Sequence, residues 1–330
     1  RGACLRGAIL IGADLTGVDL REGLLANTDP RGNIVPLHRD WPAAESGGAD
    51  LSGANLTEAK LSGAVAVGTN FSDATMKGCK IVRANLVGSN FSGANLEGAD
   101  LSMCDLKSVN MRDAVLINAS VNIASMEQGS LVGAMTNLPI GPTAKELPEP
   151  LETLMYKHAI WVNTNGKEGK QLDISRHDMR GVPFFTRACL TLMKADDTTM
   201  YGLNLSEAQM QAASFRNADL RHINGERADM RGVDLIGARL VNANLRGARF
   251  DPLVLPTGRV VFSNLSGASF RYANMTGVSL RQAKLTNADL SYANLLEVDL
   301  TGADLTGANL QGARLNQSQR ALIEKKAGEG

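Results

Sequence analysis

A period of five governs most of this chain and restricts its fold more tightly than any other feature. Large apolar residues stand at Leu5, Leu10, Leu15, Leu20 and Leu25, then recur every fifth residue from Leu51 to Leu131. They return from Leu205 to Phe250 and from Leu265 to Leu315. Of these 43 positions, 41 carry Leu, Ile, Val, Met or Phe, the exceptions being Ala66 and Gly225. The residue two before each is small or apolar, Ala in 29 of the 43 cases, and never charged. This period matches neither a helix nor a flat strand. It fits a chain that turns a corner every five residues, so that four corners close a square coil. Stacked coils would pair backbone to backbone at about 4.8 Å. The large residue fills the centre of each face, the small one points inward beside it, and the other three face water. Phe71 and Phe91 are twenty residues apart, as are Phe250 and Phe270, and each pair is expected to stack across neighbouring coils.

The units Leu51-Ser52-Gly53-Ala54-Asn55 and Leu300-Thr301-Gly302-Ala303-Asp304 are typical of the repeat. They resemble the pentapeptide-repeat family over roughly three quarters of the chain. The resemblance implies an all-β solenoid, a right-handed quadrilateral β-helix, and says little about function.

Three breaks interrupt the pattern and divide the chain. A loop insertion over 26–48 follows Leu25, with Asp29-Pro30-Arg31-Gly32 as a turn signal. A second insertion, 251–262, has Pro256-Thr257-Gly258 as its turn and keeps the five-residue phase, so a small hairpin is expected to replace part of a coil. Both contain Asp-Pro, then Gly, then Ile-Val or Val-Val, a likeness that reads as duplication of one module. The third break begins with Pro139, Pro142, Pro148 and Pro150; then Leu151, Leu154, Met155, His158, Ala159 and Val162 recur at helical spacing. This helix is expected to cap a stack, with Trp161 against its first coil, because an open coil end exposes unpaired backbone. Beyond it Ile174, Met179 and Phe184 are read as inward, with a one-residue slip before Leu190. The organisation is therefore a first β-helix over 1–135, a Pro-rich linker and capping helix over 136–166, a second β-helix of about seven coils over 167–318, and a C-terminal helical cap or tail over 319–330.

The chain has 34 basic and 34 acidic residues. This balance argues against a broad electrostatic footprint for nucleic acid and equally against an acidic rod. The four cysteines, at 4, 79, 104 and 189, contain no CxxC and fit a reducing compartment. Cys79 and Cys104 occupy the inward small site and are expected to pack as small hydrophobes. His38, His158, His177 and His222 are scattered, and the repeat itself supplies Asp and Asn at nearly every coil. No catalytic, cofactor-binding or metal-binding residue is therefore assigned. The candidate partner-binding residues are His38, Arg39 and Trp41 in the first insertion, with Asp40 beside them, and Leu253 and Val254 in the second. Ile236 and Leu296, sixty residues apart, are read as an apolar strip on one face. Arg231 and Arg271 are read as sharing another, and Val67 and Val87 a third.

The expectation is a non-enzymatic interaction scaffold or assembly component in a bacterial cytoplasm, with protein partners and a homodimer or larger assembly among the options. Nucleic acid is disfavoured and nothing in this stretch indicates a membrane. The chain starts inside a repeat, so an upstream targeting segment stays open. The resemblance implies two alternatives. Some family members mimic DNA and protect gyrase through an acidic rod, which the neutral charge disfavours, and others are secreted effectors.

Overall fold

The computed structural model describes residues 1–26, 48–123, 126, 129–183 and 185–320. The chain divides into two compact units, Arg1–Leu138 and Pro139–Gly330. Each is a β-helix with its own hydrophobic core.

One pentapeptide shows the local rule. The Leu51 N–H donates to the Asn70 carbonyl in the next coil (2.8 Å), and the Asn70 N–H donates to the Ala49 carbonyl (3.0 Å). The Leu51 carbonyl accepts the Ala54 N–H (3.1 Å), closing a turn, and Asp50 Oδ1 accepts the Ser52 N–H (3.0 Å). Gly53, third in that turn, has φ 62, in the region a type II turn requires there. Glu58, Asp73 and Arg83 occupy the equivalent place with φ 59, 55 and 59. The ladder on either side is strong enough to hold ordinary side chains in a conformation they disfavour. The recurrent Asp and Asn thus serve the turns.

In the first unit the ladder runs Asp50, Asn70, Asn90, Asn110, one coil per twenty residues. The Nδ2 of Asn70, Asn90 and Asn110 each donates to the residue one coil earlier, at 3.0, 3.2 and 3.0 Å. An amide can both donate and accept along such a column, whereas stacked carboxylates would repel. Phe71 and Phe91 are fully buried and stack at 4.8 Å with planes 15° apart. Polar atoms at the inward small site bond to the coil beneath: Cys79 Sγ to the Leu56 carbonyl (2.8 Å) and Ser89 Oγ to the Ala66 carbonyl (2.6 Å). The first insertion leaves after Leu25, and the Ala49 N–H closes back onto the Leu25 carbonyl at 2.8 Å. Residues 27–47, with His38, Arg39, Asp40 and Trp41, lie outside the described residues.

The second unit opens with a 3-10 turn, Ala144–Glu146, and helix α1, Leu151–Asn163. Leu147, Leu151 and Leu154 are buried in the same cluster as Leu172, Ile174 and Met179. One ladder then rises through Asp173, Lys194, Ser214, Asp234, Asn264, Lys284 and Asp304. At the bottom the step is twenty-one residues (Asp178 to Thr199), and it becomes twenty from Cys189 to Gln209. Phe185, fully buried, holds the inward position, so the slip falls before it and not just before Leu190. Phe184 lies outside the described residues.

The second insertion departs further from the sequence reading. From Asp234 to Asn264, Arg239 to Ser269, Asn244 to Asn274 and Arg249 to Ser279 the ladder steps thirty residues. The hairpin adds ten residues to a complete coil and replaces none of it. Phe250 therefore lies beneath Leu280, its N–H donating to the Ser279 carbonyl (2.8 Å), while the Leu240 N–H reaches the carbonyl preceding Phe270 (2.7 Å). The two phenylalanines stand on opposite faces, and the expected Phe250–Phe270 stack does not form.

At the far end Asn316 Oδ1 accepts the Gln319 N–H (2.9 Å) and Gln319 Oε1 accepts the Asn316 N–H (2.8 Å). The Gln319 Nε2 donates to the Leu295 and Val298 carbonyls at 2.7 and 2.9 Å, covering backbone of the last coils. Residues 317–320 begin a helical turn, and 321–330 lie outside the described residues.

Candidate interaction surface

The second insertion is a β-hairpin. Strands β1, Leu253–Val254, and β2, Val260–Val261, pair antiparallel, Leu253 opposite Val261 and Val254 opposite Val260. Pro256-Thr257-Gly258 makes the turn, with Gly258 at φ 80, and the Leu255 N–H donates to the Arg259 carbonyl (2.8 Å). Its base is fixed at both ends. Asp251 accepts from Ser279 Oγ (2.5 Å) and Arg249 Nε (3.2 Å). Buried Ser263 accepts the Gly232 N–H at 2.9 Å and donates to the Met230 carbonyl at 3.3 Å.

Side chains alternate across a strand pair, and the two faces differ here. Leu253 and Val261 lie against Gly232, where an added Cβ would sit 3.1 to 3.3 Å from them. Val254 and Val260 face away, 66% and 41% exposed, and Phe262 at the base is 43% exposed. Of the residues read as partner-binding, Leu253 packs on the wall and Val254 lies on the open face. Phe262 escaped sequence reading because it precedes the resumed repeat and could equally have pointed inward.

Ile236 and Leu296 are not on one face. Ile236 stands in a column with Ser266 and Thr286, and Leu296 in one with Arg246 and Thr276. The ten extra residues make their sixty-residue separation equal to two and a half coils, which places them on opposite walls. The same shift parts Arg231 from Arg271: Arg231 aligns with Asp251 and Arg281, and Arg271 with Arg221, Val241 and Ser291. Val67 and Val87, in the uninterrupted first unit, do share a column.

Several arginines are engaged in local ion pairs. A D-x-R spacing recurs, and at Asp219–Arg221 the guanidinium is fully buried and grips the carboxylate at 2.8 and 2.6 Å. Asp178–Arg180 and Asp229–Arg231 are built alike. Burial works to raise the carboxyl pKa at Asp178, Asp219 and Asp229; the arginine hydrogen bonds and charge outweigh it and keep all three below the ordinary range. This spacing was visible in the sequence and was the signal for these clamps. Arg221 also lies 5.9 Å from the Tyr201 ring centroid.

Burial pushes the Cys79 thiol up to about 12 and raises that of Cys104, so both are packing groups. His177 Nδ1 is 2.9 Å from the Ser175 carbonyl. Among the described residues, no three His, Cys, Asp or Glu side chains converge in a way that could hold a metal ion, and no helix is long and apolar enough to cross a membrane.

No curated protein matches the chain. Similar solved structures include a pentapeptide repeat protein, Rfr23, from the cyanobacterium Cyanothece 51142, 26% identical over 39% of this chain and 87% of its own, with a TM-score of 0.32. HetL, a pentapeptide repeat protein involved in heterocyst differentiation regulation from the cyanobacterium Nostoc sp. strain PCC 7120, is 21% identical over 90% of this chain and 89% of its own, TM-score 0.20. QnrB1, a plasmid-mediated fluoroquinolone resistance protein, is 15% identical over 99% and 96%, TM-score 0.22. The family model for pentapeptide repeats matches in eight copies, over residues 1–29, 49–88, 81–113, 89–128, 208–247, 263–302 and 283–318. That is well over half of the sequence, and with the ladders and corners described above it settles the assignment: this chain is a right-handed β-helix solenoid and belongs to the pentapeptide-repeat family.

Proposed function

We propose that the chain is a non-enzymatic scaffold or assembly component that binds a protein partner, and that the outer face of the 253–261 hairpin is part of the contact. Proteins of this family are generally structural or interaction proteins rather than catalysts. The observation that carries the reading is the exposed apolar set Val254, Val260 and Phe262 on a hairpin anchored to a rigid wall. Aromatic and aliphatic groups held this way make contacts at low entropic cost. Many of the remaining conspicuous residues are occupied by the fold: Asp and Asn in turns, several Arg in ion pairs, Cys79 and Cys104 in the core. In this reading α1 and the 316–319 turn cap the second β-helix, and the free thiols fit a reducing bacterial cytoplasm.

A DNA-mimicking rod needs a column of one charge. The columns here mix signs, as in Asp19, Lys60, Lys80, Asp100, are neutral, as in Asn204, Asn224, Asn244, Asn274, Asn294, or carry a lone acid, as in Asp14, Asn55, Thr75, Asn95. That favours a protein-docking wall over a nucleic-acid mimic.

The test is recovery of partners with the full chain and with Val254→Thr/Val260→Lys, which removes the apolar face without setting like charges opposite each other. Both positions are exposed, so the melting curve should be unchanged while the partner is lost. Deleting 27–47 in parallel separates the two insertions. Unchanged recovery with the double variant would remove the hairpin from the interface.

A further inference from the structure

The fold contains a fully buried histidine that the interaction reading does not use. His158 lies on the inward side of α1, 0% exposed. Its Nδ1 accepts the Leu172 N–H at 3.0 Å. Accepting a backbone N–H fixes the neutral ring with its proton on Nε2. Nε2 makes no close hydrogen bond among the described residues, and the Thr191 backbone acts on the ring only weakly against its burial. Leu172 is where the chain enters the ladder: its carbonyl accepts the Lys194 N–H at 2.9 Å. His158 thus joins α1 to the residue that begins the second β-helix. The loop between them is tight. The Lys170 N–H donates to the Lys157 carbonyl (3.2 Å), and a side chain at Gly169, φ 77, would run into that carbonyl and the Trp161 nitrogen.

We propose that His158 is a proton-operated latch: the neutral ring holds α1 on the first coil of the second unit, and protonation releases it. A proton on Nδ1 would set a donor against the Leu172 N–H in a site with no compensating charge. On α1, Lys157 is paired with Glu149 at 2.5 Å, and Glu152 is exposed. In the loop, Lys167, Glu168 and Lys170 are exposed. On the first coils, Asp173 Oδ1 accepts the Ser175 N–H at 3.0 Å and Lys194 acts on Asp173. Burial lowers the pKa of His158, and the Thr191 backbone opposes this only in part. A group whose folded pKa is depressed stabilises fully above its unfolded value, about 6.5 for histidine. That contribution is lost as pH falls below it. Release would uncover the apolar set Leu147, Leu151, Leu154, Leu172 and Ile174, now buried together.

Trp161 is the reporter, its ring stacked on His158 at 5.8 Å and 15°. In a Trp41→Phe background it is the remaining tryptophan of two. Its fluorescence should titrate between pH 8 and 5 with a midpoint below about 6.5. Exchange of the Leu172 amide, corrected for intrinsic rates, should rise about tenfold over that range. His158→Gln should abolish both pH dependences. Flat fluorescence and unchanged Leu172 protection in the parent, or the same transition in His158→Gln, would overturn the latch. Should His158→Gln not fold, the imidazole resonances of the parent decide: a ring that protonates with α1 still protected contradicts the proposal.

Discussion

Two phenylalanine pairs with the same spacing behave differently. Phe71 and Phe91, in coils that close every twenty residues, stack at 4.8 Å. Phe250 and Phe270, also twenty apart, straddle the hairpin and lie on opposite faces because that coil takes thirty residues. Residue spacing converts to position in space only where the coil is complete. An insertion of ten is half a coil, so it keeps the inward phase and exchanges opposite walls for everything downstream.

The sharpest way to break this comparison is in the core. Phe71→Ala should cost about 3–5 kcal/mol, read as a lowered urea midpoint for the first unit. A double-mutant cycle with Phe71→Leu and Phe91→Leu should show coupling of about 0.5–1.5 kcal/mol. The same cycle at Phe250 and Phe270 should give a coupling several times smaller, since the rings do not stack. Equal coupling at the two sites would contradict the thirty-residue coil.

A gentler perturbation restores the regular coil. Removing residues 252–261 with Phe262→Gly leaves Asp251, the new Gly, Ser263 and Asn264 between Phe250 and Leu265, a standard corner with a residue suited to positive φ. The fold should persist with a change of under about 1 kcal/mol, by thermal melting. Collapse of the second unit would mean that the hairpin is integral to its coil. Smallest in its effect on stability is thiol labelling at pH 8: exposed Cys4 should react with iodoacetamide while buried Cys79, its thiol at about 12, should not until the first unit unfolds.

Much of this was legible in the sequence, for an identifiable reason. Inward positions repeat every five residues because each corner repeats the same hydrogen bonds, so Leu51 to Leu116 could be placed without coordinates. The hairpin could not be sized that way. Leu265 follows Phe250 by fifteen, a multiple of five, so the phase alone does not say whether the intervening chain fills faces or leaves the coil. That ambiguity put Ile236 and Leu296 on one wall when they stand on opposite ones. Adjacent Phe184 and Phe185 present the same difficulty, since either could be counted inward and only the Cys189–Gln209 pairing places the slip. His158 was visible as part of a helical stripe, but its bond to Leu172 depends on a tertiary contact that no local pattern encodes. The residues His38, Arg39 and Trp41 remain a sequence-level expectation.

The second unit contains a thirty-residue coil that reassigns its faces. Spin labels at paired cysteines, in a background lacking the four native ones, test it directly. Labels at 246 and 296 should lie about 10 Å apart, two ladder steps, and broaden each other's spectra strongly. Labels at 236 and 296 should sit on opposite walls and show no such broadening. Strong broadening for 236 and 296 with none for 246 and 296 would contradict the account.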